Sequence, residues 1–414
     1  MSYVCFKRRN EHCYGNEKEL YVAAAFAISY CLLTAKNILI QGSPSLYNAN
    51  SKLNMLILIV SVLLYAYAIL VKDNRLYLSS KQIFVIGAII SFWFLTYMFN
   101  ENLFTYSYVE EELVFFLTYC LPALLILPGL RTCKLLLETF YKCRWFLFGV
   151  VCLAVILMLT NGQIQGAGTR SAVYSMAFGR ALLLPCILLY SHWFKERKKL
   201  DLLGGIVCTL FIFLFGSRFP LLCIAAYIGW KLLQSRKSAR LLIFICMGFV
   251  LVAFIIVFSE SILAWLNQAL NSFGIQSRAL SLINSGKFGY DDGRLLIYNE
   301  LIAQINKSPI IGYGAGGGNV ALGNGLSHSF ILDVFANLGY VFGGLLLIVS
   351  AGRFSRLYRK NRQFYNREFI IICLCLFVPM CAIQMSLWRA TYYWYLLALS
   401  LGRLRTENSQ SKRG

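Results

Sequence analysis

Apolar blocks, each near the roughly twenty residues that cross a bilayer core, recur along this chain and constrain its fold more than any other feature. They fall at 20–40, 53–71, 82–99, 112–130, 145–160, 172–190, 201–217, 219–233, 241–259, 328–350, 368–384 and 388–402. Inside lipid no water is available to the backbone, so each block has to pair its own N–H and C=O groups as an α-helix. The chain is 58% hydrophobic and only 14% charged, whereas soluble domains carry about 25% charged residues. The expected fold is therefore all-α: a polytopic integral membrane protein with about 12 transmembrane helices.

A net charge of +21 raises the question of a polyanionic partner, and the distribution of that charge answers it. If the twelve spans start from an internal N-terminus, the connections on one side hold 29 of the 39 Lys and Arg residues. The other side holds nine: Lys36, Lys52, Arg170, Arg218, Arg278, Lys287, Arg294, Lys307 and Arg389. This is the asymmetry of the positive-inside rule. The basic charge thus reports topology, no nucleic acid is implied, and both termini are expected in the cytoplasm. Cys5–Leu20 is too polar for the apolar region of a cleaved signal peptide, so the first span is expected to act as the insertion signal. The fourteen cysteines lie in spans or on the inner side and are expected to be buried thiols rather than disulfides.

This reading divides the chain into an inner N-terminal segment (1–19), nine helices (20–259), a large outer loop (260–327), three helices (328–402) and an inner tail (403–414). In the loop, "ESILAWLNQALNSF" has helical spacing at Ile262, Trp265, Leu266 and Leu270. A second helix is expected in "DDGRLLIYNELIAQINKSP", with Asp291 or Asp292 as its cap and Pro309 beyond its end. Both suit helices lying along a bilayer surface. The stretch "GYGAGGGNVALGNG" then places seven glycines in fourteen residues, a backbone either mobile or tightly turned, and it leads to His328. Loops this long in compact proteins are usually functional.

Unusual polar residues gather at the outer helix ends. Arg170 closes "NGQIQGAGTR", Arg218 sits in "FLFGSRFPLL", Arg294 lies in the loop helix, His328 opens the tenth span, and Arg389 lies in "SLWRATYYWYL". A guanidinium grips phosphate bidentately and is always charged, and an imidazole accepts protons near neutral pH. The set points to transfer chemistry on a phosphorylated lipid. Arg170 and Arg389 serve equally well as headgroup anchors, and an interfacial histidine is structural about as often as functional. Arg218 is harder to assign to anchoring, because its connection is so short that the charge stays near the apolar layer. Arg180, ten residues into its span, either lines the same cavity or forms a structural pair. Asp333 lies five residues beyond His328, off its helical face, and would orient it only through a distorted helix.

Other motifs carry less. The glycine run lacks the Gly-Lys-Ser/Thr ending of a phosphate-binding loop. No His, Cys and carboxylate cluster has metal-ligand spacing. The run Glu110, Glu111, Glu112 reads as a solvated helix start, and "TYYWY" (391–395) reads as an interfacial belt, with sugar stacking as its alternative.

Taken in order, these residues resemble the bacterial O-antigen ligase and O-antigen polymerase superfamily over about the C-terminal three-fifths of the chain. "FGSRFPLL" is similar to its Ser-Arg segment, with Arg218 and Leu222 in the Arg-x-x-x-Leu spacing. "GRLLIYNELIAQINKSPIIGYGAGG" is similar to its outer-loop pattern, and "HSFILDVFANLG" to its histidine motif ending at Gly339. The large outer loop before the tenth span completes the likeness. One position departs: Phe342 stands where ligases carry a small residue or tyrosine, with glycine following at Gly343.

The resemblance implies a metal-independent glycosyltransferase with no cofactor and no nucleotide sugar. The donor would be a polyprenyl-pyrophosphate-linked oligosaccharide at the periplasmic face of the bacterial inner membrane. By that carry-over His328 is the catalytic base, and Arg218 and Arg294 bind the pyrophosphate. Arg170, Arg389 and Arg180 are further candidate substrate contacts, and the glycine loop would let the outer segment move over two lipid-linked substrates. The expected activity is O-antigen or surface polysaccharide polymerase. Its alternatives are a ligase transferring the glycan to lipid A core and, more distantly, a non-enzymatic lipid-linked glycan transporter. Besides the lipid bilayer, a chain-length regulator is a candidate partner.

Overall fold

The computed structural model describes residues 15–71, 78–100, 103–161, 176–215, 218–234, 294–381, 386–402 and 404. The expected span 241–259, the first loop helix, the caps Asp291 and Asp292, and Arg170 lie outside the described residues, as do most of both terminal segments.

Helices joined by turns and irregular stretches make up the described residues. In order the chain forms α1 (Gly15–Gly42), α2 (Pro44–Asn48), α3 (Asn50–Ala66), α4 (Ser80–Phe99), α5 (Ser107–Phe115), α6 (Leu121–Ile126), α7 (Lys134–Asn161) and α8 (Met176–Ala181). It continues with α9 (Leu183–Glu196), α10 (Lys199–Phe215), α11 (Arg218–Gln234), α12 (Arg294–Ile305), α13 (Gly317–Ala321), α14 (Phe330–Lys360), α15 (Phe364–Cys381) and α16 (Thr391–Leu401). Among the described residues eight helical stretches are long and apolar enough to cross a membrane, so the protein is multi-pass. The blocks expected at 201–217, 219–233 and 388–402 give the shorter helices α10, α11 and α16, which are not among those eight. The tenth block begins at Phe330 rather than His328 and runs on to Lys360, and the last helix starts at Thr391 after a turn at 387–389.

Helices α1 and α16 are largely buried and meet through aromatic rings. Tyr30 of α1 meets the rings of Phe140 on α7 and Tyr395 on α16. Tyr393, Trp394 and Tyr395 are buried, so the expected aromatic belt at 391–395 is instead core. Tyr393 packs on Phe330, Phe354 and Phe377, and Trp394 stacks on Trp388. By contrast α3 and α4 leave most of their apolar side chains outward, as helices facing lipid do. The eleven described cysteines are all free, eight of them buried.

One end of the bundle is tied by buried charge. Arg144 of α7 and His192 of α9 both pair with Asp201 of α10. Glu368 of α15 takes Lys231 and Tyr227 of α11 together with Ser191 of α9. Each of these charges is paired, the condition under which burial is tolerated.

The tenth span is broken. At Gly339 φ is 71° and ψ 175°, a conformation essentially restricted to glycine. The break frees backbone groups, and the glycine-rich segment takes them up. The Tyr340 amide donates to the Pro309 carbonyl (2.7 Å), the Ala336 carbonyl accepts from the Tyr313 amide (2.7 Å), and the Asn337 carbonyl accepts from the Gly314 amide (3.0 Å). Non-helical backbone is tolerated at membrane depth when protein satisfies it in this way. Of the two conformations the glycine run allows, the tightly turned one is found. Within residues 309–317 the segment is tied to α14 by these hydrogen bonds.

Candidate active site

His328 occupies the extended stretch between the glycine segment and α14. Its φ of +51° is a left-handed conformation that a non-glycine residue adopts at some cost, so its surroundings must hold it. On the C-terminal side Ser329 caps α14, its hydroxyl accepting from the Leu332 amide (3.4 Å). From across the site, the Tyr298 hydroxyl of α12 donates to the His328 carbonyl (3.3 Å).

Tyr298 stands one helical turn beyond Arg294, on the same face of α12. The Arg294 guanidinium lies over the Phe219 ring of α11, 4.9 Å from its centroid, an attraction of cation for π-cloud. Arg218 is the first residue of α11 and is described as backbone, next to Phe219. The N-termini of α11 and α12 are thus brought together, and with them the two segments from which the arginines come.

Burial is the main influence on His328, followed by the positive charges of Arg294 and Arg180, and all three lower the pKa of its imidazole. Each disfavours the imidazolium. Burial and both charges therefore oppose protonation of the ring. Arg180, which the sequence left between two roles, bears on His328.

Arg389 belongs to a different cluster. Its guanidinium pairs with Glu111 (2.7 Å), in the turn that precedes α16. Beneath that turn the expected solvated run is not solvated throughout, because Glu112 is fully buried beside Ser386, Asn319 and Arg389. Asp333 does not reach His328. Its carboxylate accepts from the Leu387 amide (2.7 Å) and from Asn337 Nδ2 (3.2 Å). Among the described residues, no group of three or more His, Cys, Asp or Glu side chains is arranged to hold a metal ion.

Sequence reasoning missed Phe219, Tyr298 and Asn337. Tyr298 was within reach, four residues after Arg294 on a helix already recognised. Phe219 and Asn337 carry no local signal, since their partners are distant in sequence.

A family model described as O-Antigen ligase matches residues 203–349. The match runs from α10 to the middle of α14 and contains Arg218, Arg294 and His328. No curated protein and no solved structure matches the chain.

Proposed function

We propose that the chain is a multi-pass membrane enzyme of the O-antigen ligase and polymerase type, transferring lipid-linked glycans, and that it is the polymerase of that pair. It joins oligosaccharide repeat units, moving glycan from a polyprenyl-pyrophosphate-linked donor to a lipid-linked acceptor. The observation that carries this reading is the convergence of His328 with the arginine segments: α12 reaches the His328 carbonyl through Tyr298 and lays Arg294 over Phe219, the residue after Arg218.

In this reaction His328 takes the proton of an acceptor sugar hydroxyl. That oxygen attacks the anomeric carbon of the donor glycan, and the bond from that carbon to the pyrophosphate oxygen breaks. Arg294 and Arg218 hold the departing pyrophosphate and offset the charge that develops on it, with Arg180 as a further contact. Arg170 and Arg389 are weaker candidates, and the ion pair with Glu111 favours a supporting part for Arg389. Phe342, where ligases differ, supports polymerase. The description of the family model keeps ligation to lipid A core as the second reading.

The enzyme is proposed to sit in the bacterial inner membrane with twelve spans. The loop 260–327 between the ninth and tenth faces the periplasm, and both termini are cytoplasmic. The charge asymmetry supports this arrangement.

An in vitro assay with lipid-linked repeat units alone separates the readings. Glycan ladders without lipid A core are expected; product only after core is supplied makes the enzyme a ligase. His328→Ala is expected to lose on the order of 100-fold or more in transfer while still binding the donor. Arg294→Lys should recover only part of what Arg294→Ala loses, because an ammonium lacks the bidentate fork. Unimpaired transfer in His328→Ala would remove His328 from the mechanism.

A further inference from the structure

One face of the first half of α14 is a buried polar hub. Asn337 is fully buried, and its Oδ1 accepts from the Gly316 amide (2.9 Å), the Gly317 amide (3.4 Å) and the Trp388 indole Nε1 (2.9 Å). Its Nδ2 donates to the Asp333 carbonyl (2.7 Å) and carboxylate (3.2 Å). Asp333, 1% exposed, extends the hub to the Leu387 amide (2.7 Å), and Ser327, also buried, packs near it at Gly318. Two side chains one turn apart thereby fasten two things to a single half-helix, the glycine segment and the turn at 386–390, with Ser327 packed alongside.

We infer that Asp333 and Asn337 are positioning residues for His328, holding the segment that carries it in its left-handed turn so that the imidazole faces Arg294. The assignment rests on the proposed role of His328 and follows from the geometry on either side of it. Toward the N-terminus Ser327 sits against Asp333; toward the C-terminus Ser329 is fixed as the cap of α14, its carbonyl accepting from the Asp333 amide (2.9 Å). A strained φ persists only where its neighbours over-determine it; here Ser327 packs beside the Asp333 side chain and Ser329 is held in the first turn of α14. Asn337 in turn anchors Gly316 and Gly317, a few residues upstream, and Trp388 against the same face. The Trp388 ring packs on Phe92, Trp93 and Phe116, so the hub also fixes the distance between α14 and the helices around it. A base displaced by about 1 Å loses on the order of 100-fold in rate, which makes such a clamp consequential for chemistry and not only for folding.

Two variants of the full-length, detergent-solubilised protein test this. Trp388→Phe removes one donor from the Asn337 oxygen while preserving the aromatic packing, and Asn337→Ala removes the acceptor for all three. The pH dependence of carbethoxylation by diethyl pyrocarbonate is followed at each histidine by peptide mass spectrometry, with His192 as internal reference, alongside kcat and KM for lipid-linked donor. In both variants the His328 midpoint is expected to rise and its labelling to speed up, because the ring leaves its half-buried place beside Arg294. At the same time kcat should fall at least about tenfold, with a smaller change in KM. Trp388→Phe keeps the test valid should Asn337→Ala not fold. If His328 labels in folded Trp388→Phe and Asn337→Ala as in the unaltered protein, the positioning role is refuted. A fully active His328→Ala protein would instead defeat the catalytic reading of His328, and the labelling result would still report on position.

Discussion

At the scale of single residues, the proposed reaction needs His328 to be basic enough to take a proton yet neutral when substrate arrives. Burial and two guanidinium groups meet the second requirement by opposing protonation. The sign is direct: the base is the neutral ring, which exists above its pKa, and that pKa is lowered. Transfer should therefore persist below the ordinary imidazole value of about 6.5 and decline only at lower pH. Arg180→Gln removes one opposing charge and is expected to move the acidic limb of kcat/KM toward higher pH, readable in a pH–rate profile. A limb that stays in place would take Arg180 out of the site. Arg389→Gln should leave the limb alone, because that charge is already offset by Glu111. His328 and Arg294 were legible in the sequence because a rare ionisable side chain beside an apolar block stands out. The pairing of Arg389 with Glu111 was not, since the two lie 278 positions apart.

At the scale of elements, the decisive feature is a helix that stops and restarts. Gly339 allows α14 to break, and the glycine segment repairs the break with its own amides and carbonyls. A methyl group at Gly339 would lie 2.3 Å from the Ile310 carbonyl oxygen, and the backbone angles there disfavour any side chain by roughly 1–3 kcal/mol. Gly339→Ala is therefore expected to lower the thermal midpoint of the solubilised protein by several degrees and to open residues 309–326 to proteases. Gly344→Ala on the same helix is the control, because nothing lies within 4 Å of the position its methyl would take. Equal midpoints for the two variants would contradict the account of the break. The glycine run announced either a turn or a hinge, and local sequence does not choose between them. The choice falls to Thr96, whose hydroxyl accepts from the Ala315 amide (2.9 Å), and to Asn337. Both belong to other elements.

For the whole molecule, the proposed orientation makes a prediction of its own. Single cysteines introduced at Lys307 and Asn324, in a background lacking native cysteines, should react with a membrane-impermeant maleimide added to spheroplasts. Cysteines at Lys198 and Arg359 should react only after the membrane is permeabilised. The reverse pattern would invert the protein and put His328 in the cytoplasm, where a periplasmic polymerase has no use for it.

What the amino-acid sequence determined alone is the class of fold: an all-helical bundle in a membrane, with a sided distribution of charge and a polar loop leading to a histidine. Those properties follow from how each segment partitions between water and lipid, and a segment carries that information within itself. Tertiary structure decided which charges meet. It gave Arg389 to Glu111, set Arg180 and Arg294 to act on His328, turned the residues at 391–395 into core, and made Asp333 a clamp for neighbouring chain. A charge's partner depends on which distant segments are brought within a few ångströms, and no local periodicity encodes that distance.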